Sequence, residues 1–483
     1  MGFEFDNDFP FTDEPELQDV VERYRLMLRS NTPLYFDSHE FILLIDYHLH
    51  NREYTESLKI AEFGINQHPS SFDLKLKKAE ILFRLKDYAN ALLLVKELEN
   101  IETNSSYLSY FRGLIHSNLK QKREAAYYFQ KAVLQAQDSN EAIDTLFQIA
   151  EHYQENNDLQ TANFYLLEAH KIDPYDSEII VELAQNFETY DLHQAVHYYN
   201  LYLNQHPFHS SAWFDIGVVY SRLENFEKAL EAFDFAIALY ENYLEAYFNK
   251  GNALANLGRY QEAIEAFEEY ARLLNEENED DDFEPNEMLE VYCSIGECHE
   301  RMGDLINALT YYEKALKIDP HYPDALYGVG IVCSLCNNLT DSLKYIRKAI
   351  ELDPFNSEYH FSLGNVYRRM GKIDKALEAY RSATHIDPQD YESWVNIAQL
   401  YFEKNLLTKA IRTLEEAYEN NPKVAIIEYR LAAFYFLRKN EADGMNFLRK
   451  ALIHDNSKYL EFFKIYPEGT ENEKIQNLIA KYR

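Results

Sequence analysis

The sequence predicts an all-α fold of stacked antiparallel helix pairs, and three observations predict it. Prolines recur at a fixed interval: Pro320, Pro354, Pro388 and Pro422 lie 34 residues apart, the first three behind Asp319, Asp353 and Asp387. Small residues recur with the same period at two places in each unit. Glycine (14) and proline (13) are scarce in 483 residues, as a chain of mostly helix interior requires.

The proline register extends upstream to Pro207, Pro174 and Pro69, with one short unit and small insertions on the way. The clearest unit opens at Ser210 and carries Trp213, Ile216, Gly217, Tyr220, Ala229, Phe233 and Ala236. The unit opening at Tyr391 carries Trp394, Ile397, Ala398, Tyr401, Ala410, Leu414, Ala417 and Pro422. These are positions 4, 7, 8, 11, 20, 24 and 27 of a unit, with proline closing it. This pattern resembles the tetratricopeptide repeat family, with about twelve units over roughly 38–458. The resemblance implies a right-handed α-solenoid superhelix and a non-catalytic protein-interaction scaffold.

Position 20 is small in every unit, from Ser57 and Ala91 through Ala229 and Ser342 to Gly444. Position 8 is Gly or Ala throughout, from Ala79 and Gly113 to Ala432, except for Ile45 in the first unit. The two helices of a pair approach where side chains are small. Glycine inside a helix costs about 1 kcal/mol relative to alanine, so packing must offset the glycines at position 8. The aromatic residues at positions 4, 11 and 24 are read as core beside that contact, which accounts for much of the Tyr (39) and Phe (30) content.

A single pair cannot bury its apolar face, so the stack is the stable unit and its ends need caps. Residues 1–37 are an acidic tail plus a short capping helix opened by Pro15, with Leu17, Val20, Val21, Tyr24 and Leu28 on one face. Residues 38–277 hold repeats one to seven, 278–288 an acidic insertion, and 289–458 repeats eight to twelve. Residues 459–483 form C-terminal capping helices, in which Phe462 and Ile465 imitate positions 4 and 7. After Pro467, Ile475, Leu478, Ile479 and Tyr482 share a face. The acidic tail interleaves Phe3, Phe5, Phe9 and Phe11 with carboxylates and is either a solvated segment or a docking motif. The insertion is expected to be a surface loop dividing the stack. Its Asp280, Asp281 and Asp282 lack the spacing of a calcium loop.

The formal net charge is -34. This argues against nucleic acid and against anionic membrane surfaces, both of which need a basic footprint. It favours a basic protein or peptide partner, since most of the acidity lies before residue 400. No secretory leader and no membrane span is evident, and four cysteines make no disulfide framework, so the expected location is cytoplasmic.

No phosphate loop, nucleophile elbow or zinc-helix motif occurs, so no catalytic residue, metal or cofactor is expected. Cys293 and Cys298 point about 140° apart on a helix and do not converge on a metal. With Cys333 and Cys336 they are read as buried thiols. His193 and His197 lack a third ligand. His48, His116 and His299 fall at position 11, as local replacements for an aromatic.

In the family, first helices line the concave groove, and positions 2, 5, 6, 9, 12 and 13 face it. Those positions hold Asn249, Asn252, Asn256, Asn365, Asn396 and Gln399, the candidate partner-binding residues. Amides donate and accept, so they can satisfy an extended peptide backbone. The ladder is broken by Val218, Gly328 and Ile331, and solvated helix surface is the alternative reading. A two-carboxylate clamp of Lys, Asn and Arg, as in chaperone-binding members, is not expected: Arg368 and Arg369 have no matching lysine in the preceding repeats. The leading function is an adaptor or scaffold; the alternative is a structural or self-associating subunit of a larger assembly.

Overall fold

A computed structural model of the protein describes residues 15–30, 32–277 and 285–482. The phenylalanine-bearing tail before Pro15 and the Asp280–Asp282 run lie outside the described residues. Those residues form 27 α-helices and two short 3₁₀ turns, with no strand among them. The helices pack in consecutive pairs as an all-α solenoid. The chain forms two compact units, Met1–Leu223 and Glu224–Arg483. Their boundary falls within repeat six, between its helices Ser210–Arg222 and Phe226–Leu239. The helices flanking the acidic insertion, Tyr260–Glu277 and Pro285–Arg301, pack directly through Tyr270, Leu274, Met288 and Val291.

The glycines of position 8 have a direct steric cause. A Cβ on Gly113 would lie 2.4 Å from the Phe129 ring, on Gly251 2.5 Å from Phe267, on Gly296 2.8 Å from Tyr312 and on Gly364 2.5 Å from Tyr380. Each ring is position 24 of the same repeat. Where position 8 is alanine, position 24 is mostly aliphatic: Ala79 with Val95, Ala150 with Leu166, Ala398 with Leu414 and Ala432 with Leu448. In most repeats one volume is filled either by an aromatic ring over glycine or by a smaller side chain over alanine, Gly330 with Ile346 and Ala184 with Tyr199 being exceptions.

The turn between paired helices is equally regular. Position 15 adopts left-handed backbone in every repeat but the fifth. It is Gly258, Gly303 and Gly371 in three repeats, but Lys86 (φ 63) and Lys120 (φ 59) in others. The next amide reaches back five residues, as Asp87 N–H to the Leu82 carbonyl at 2.8 Å, satisfying carbonyls that the helix end leaves open. Repeat five is one residue shorter; there Tyr190 and Asp191 both bond back to Phe187. The residue it lacks is the left-handed one. Since a non-glycine residue is disfavoured there, Lys120→Gly is expected to raise stability and Gly303→Ala to lower it. Each change should be on the order of 0.5–1 kcal/mol, read from urea unfolding midpoints.

Some of the acidity serves as helix caps. Asp87, Asp158, Asp191 and Asp304 accept from the amide three residues on at the start of second helices. There the carboxylate also meets the positive end of the helix dipole. In the closing turns, Asp173, Asp319, Asp353 and Asp387 accept from the amide two residues on. The indoles of Trp213 and Trp394 donate to the Pro207 and Pro388 carbonyls at 2.8 and 3.1 Å. His360 makes the same contact to Pro354 at 3.1 Å. Position 4 is thus a hydrogen-bonding position as well as an aromatic one.

Helices also pack against the first and last repeats. Phe462, Ile475 and Ile479 bury against Tyr429, Phe436 and Leu448. At the front, helix Pro15–Ser30 buries Leu17, Val20, Val21, Tyr24 and Met27. Leu28 is exposed, a correction to the expected stripe: the contact follows the slanted ridge Val20–Tyr24–Met27, as crossing helices do.

Candidate functional site

The first helices of the second unit present a shared polar face. Position 2 places exposed carboxylates on successive repeats: Glu245, Glu290, Asp324, Glu358 and Glu392. Tyr359 donates its hydroxyl to Asp324, and the Tyr327 hydroxyl meets Glu358 at 3.0 Å and Ser362 at 2.9 Å. Although Glu290 is exposed as a residue, the packed helices partly desolvate its carboxyl and hold it above its ordinary range, and the charges of Asp324 and Glu287 add to this. A cation approaching this row would relieve that repulsion.

Helices Leu244–Asn256, Tyr260–Glu277 and Pro285–Arg301, the first and last of which carry Glu245 and Glu290 of the row, enclose an open pocket of about 390 Å³. Asn252, Asn256, Ser294, Glu297 and Arg301 form its polar wall, with Tyr260 and Phe267 among its apolar lining. Glu297 and Arg301 pair at 3.1 Å one helical turn apart.

Further along, the face changes sign. Arg368 donates to Asn396 Oδ1 at 3.0 Å and reaches Glu403 at 3.3 Å. Arg430 donates to Gln399 Oε1 at 3.0 Å, and Gln399 donates to Glu403 at 3.0 Å. The Arg430 Nε is buried with no hydrogen-bond partner among the described residues. Burial lowers the pKa of that guanidinium.

The six amides singled out from the sequence therefore have different surroundings. Asn252 and Asn256 line the pocket. Asn249 and Asn256 donate to backbone carbonyls one turn back, Glu245 and Asn252, each at 2.9 Å. Asn365 accepts from the Tyr380 hydroxyl at 2.7 Å. Asn396 and Gln399 hold the two arginines. Sequence reasoning missed Arg430, although an arginine at position 6, one repeat beyond Asn396, was the available signal. It also missed the hydroxyl–carboxylate pairs between tyrosines and acids, such as Tyr107 with Glu80 at 2.7 Å and Tyr312 with Glu300 at 3.2 Å.

Two of the position 11 histidines bond locally, five residues on: His48 meets Glu53 and His116 meets Gln121 at 2.6 Å. The His299 Nδ1 lies 3.5 Å from Asp304 and makes no hydrogen bond among the described residues. The cysteines are free thiols. Cys298 is buried, its thiol pushed up to about 12 chiefly by burial. The expectation of four buried thiols holds for Cys298 alone: Cys293 and Cys333 are half-buried, and Cys336 is the exposed C-cap of helix Pro323–Leu335, where the chain turns outward. Among the described residues no cluster of three or more potential ligands could hold a metal. None of the described helices is long and apolar enough to cross a membrane.

Family models described as tetratricopeptide repeat match residues 214–278, 289–322, 336–391 and 361–425. No curated protein matches the chain. Among solved structures, the chain is similar to the APC/C hetero-tetramer Cut9-Hcn1. The identity there is 16%, over 86% of this chain and 94% of that one, with a TM-score of 0.41. It is also similar to MamA, at 21% identity over 34% of this chain and 96% of that one, with a TM-score of 0.31.

Proposed function

We propose, from the premise that this chain belongs to the tetratricopeptide repeat family, that it is a non-catalytic adaptor. Its second unit takes an extended, basic peptide segment on the first-helix face. Interaction scaffolding is the general role of such repeats. The observation that supports the finer reading is the row of exposed carboxylates Glu290, Asp324 and Glu358 on successive first helices, of which Pro285–Arg301 also lines the pocket of Asn252 and Asn256. Lysine or arginine side chains would face the row, and pocket amides would meet the peptide backbone.

The test is fluorescence-anisotropy titration with extended peptides matched in length, bearing either four lysines or four glutamates. The lysine peptides should bind more tightly, and less so as salt rises. A Glu290→Gln, Asp324→Asn, Glu358→Gln chain keeps the tyrosine hydrogen bonds and should bind them about 10-fold more weakly, some 1.4 kcal/mol. Equal binding by both chains would overturn the assignment. Concentration-dependent self-association without peptide binding would move the reading to a structural subunit.

A further inference from the structure

The outer side of the second helices carries an apolar row that the peptide-binding face leaves unexplained. Position 22 holds Leu93, Tyr127 and Phe164 in repeats two, three and four, which are 64%, 61% and 58% exposed. The same position is Lys59 in repeat one, then His197, Glu231 and Glu265, and it stays polar in every later repeat. The repeat thus supplies its own control: nothing in the architecture calls for an apolar residue there, yet three successive repeats have one. All three lie in the first unit, on helices Tyr88–Glu99, Lys122–Gln135 and Leu159–Ile172. Exposed apolar side chains rimmed by charge mark contact surfaces, and these three stand on successive second helices.

The rim is basic in a chain of net charge -34. Lys96 follows Leu93 by one turn, and Arg123 precedes Tyr127 by one turn, so each shares the face of its neighbour. With the adjacent Lys122 they are exposed and form no ion pair among the described residues. The nearby acids Glu97 and Glu168 are bonded to Lys75 and Lys171, leaving Glu124 as an exposed acid at this rim. The surface therefore fits a segment that is acidic and aromatic together.

This chain contains one. Residues 1–14 hold Phe3, Phe5, Phe9 and Phe11 among Glu4, Asp6, Asp8, Asp13 and Glu14, with no lysine or arginine. They lead into helix Pro15–Ser30, which packs on the first repeat of the same unit. Fourteen extended residues reach up to roughly 46 Å. We infer that residues 1–14 dock in cis on the Leu93–Tyr127–Phe164 row, phenylalanines on the apolar side chains and carboxylates against Lys96, Lys122 and Arg123.

The experiment places photoreactive benzoylphenylalanine at position 9 of the full chain. Irradiation at low micromolar concentration is followed by mass-spectrometric mapping of the crosslinks. The expected crosslinks fall on residues 88–99, 122–135 and 159–172 at monomer mass. They should drop at least 10-fold in a Tyr127→Glu, Phe164→Glu chain. Both substituted side chains are exposed, so helicity measured by circular dichroism should be unchanged. Crosslinks elsewhere, crosslinks only at dimer mass, or crosslinks unchanged in the substituted chain would overturn the assignment.

Discussion

Gly113→Ala is expected to destabilise the first unit by about 1–3 kcal/mol, although alanine is the better helix former by about 1 kcal/mol. The added methyl would sit 2.4 Å from Cδ1 and 2.5 Å from Cε1 of Phe129. That ring cannot swing away: it is fully buried, with Tyr110, Tyr153 and Tyr165 packed around it at centroid distances of 6.0 to 6.1 Å. Steric cost exceeds the propensity gain because one side of the contact is rigid backbone and the other a confined ring. Phe129→Leu alone should also destabilise, by leaving a cavity. The double variant recreates the Ala398–Leu414 pairing that repeat eleven already uses, so it should be more stable than the sum of the two single losses predicts. Urea unfolding of the four chains gives the coupling free energy. A coupling near zero would mean that glycine at position 8 is not there for the ring.

The second large effect is pH-dependent. Glu300 lies on the first helix of repeat eight, its carboxyl 3.2 Å from the Tyr312 hydroxyl. Its pKa is raised to about 7. Burial is the first cause, Glu297 and Glu358 add to it, and Tyr312 and Arg301 oppose it. Below about pH 4.5 the group is protonated folded and unfolded, and its contribution is fully present. Between there and pH 7 the folded chain keeps a proton that the unfolded chain has lost. Stability therefore falls as pH rises through that window. The group is partly solvated, so the loss is roughly 2 kcal/mol rather than the full value of the shift. Glu300→Gln keeps an acceptor for Tyr312 and removes the charge, so it should be the more stable chain at pH 8 and similar to wild type at pH 4.5. Parallel curves for the two chains would show that Glu300 is ionised without penalty. Asp215, in the other unit, is raised to about 6 by burial and then Glu188; its contribution should be lost in the same direction over a lower window.

How much was legible follows from the range of each interaction. Helix pairing could be read because its determinants lie within one repeat and recur: glycine or alanine at position 8, a small residue at position 20, and proline at the close. Histidine at position 11 could be read for the same reason, since its partner is five residues away. The buried stripe of helix Pro15–Ser30 was misjudged at Leu28 because its edge depends on the crossing of a neighbouring helix. Cys336 was misjudged because one residue separates a helix interior from its exposed cap.

The candidate site divides along the same line. By itself the sequence determined the repeat, the all-α solenoid, the acidic balance and the helix faces on which Asn249, Asn252, Asn256, Asn365, Asn396 and Gln399 lie. All of that is set by local periodicity and composition. Only the tertiary structure decided which amides meet open space and which meet a neighbour. Arg368 reaches Asn396 from the preceding repeat, and Arg430 reaches Gln399 from the following one. Long flexible side chains can make such contacts in several ways, and stacking of the repeats selects among them. Only the assembled stack, likewise, decided that Leu93, Tyr127 and Phe164 stay exposed, because burial depends on which neighbouring helix covers each face.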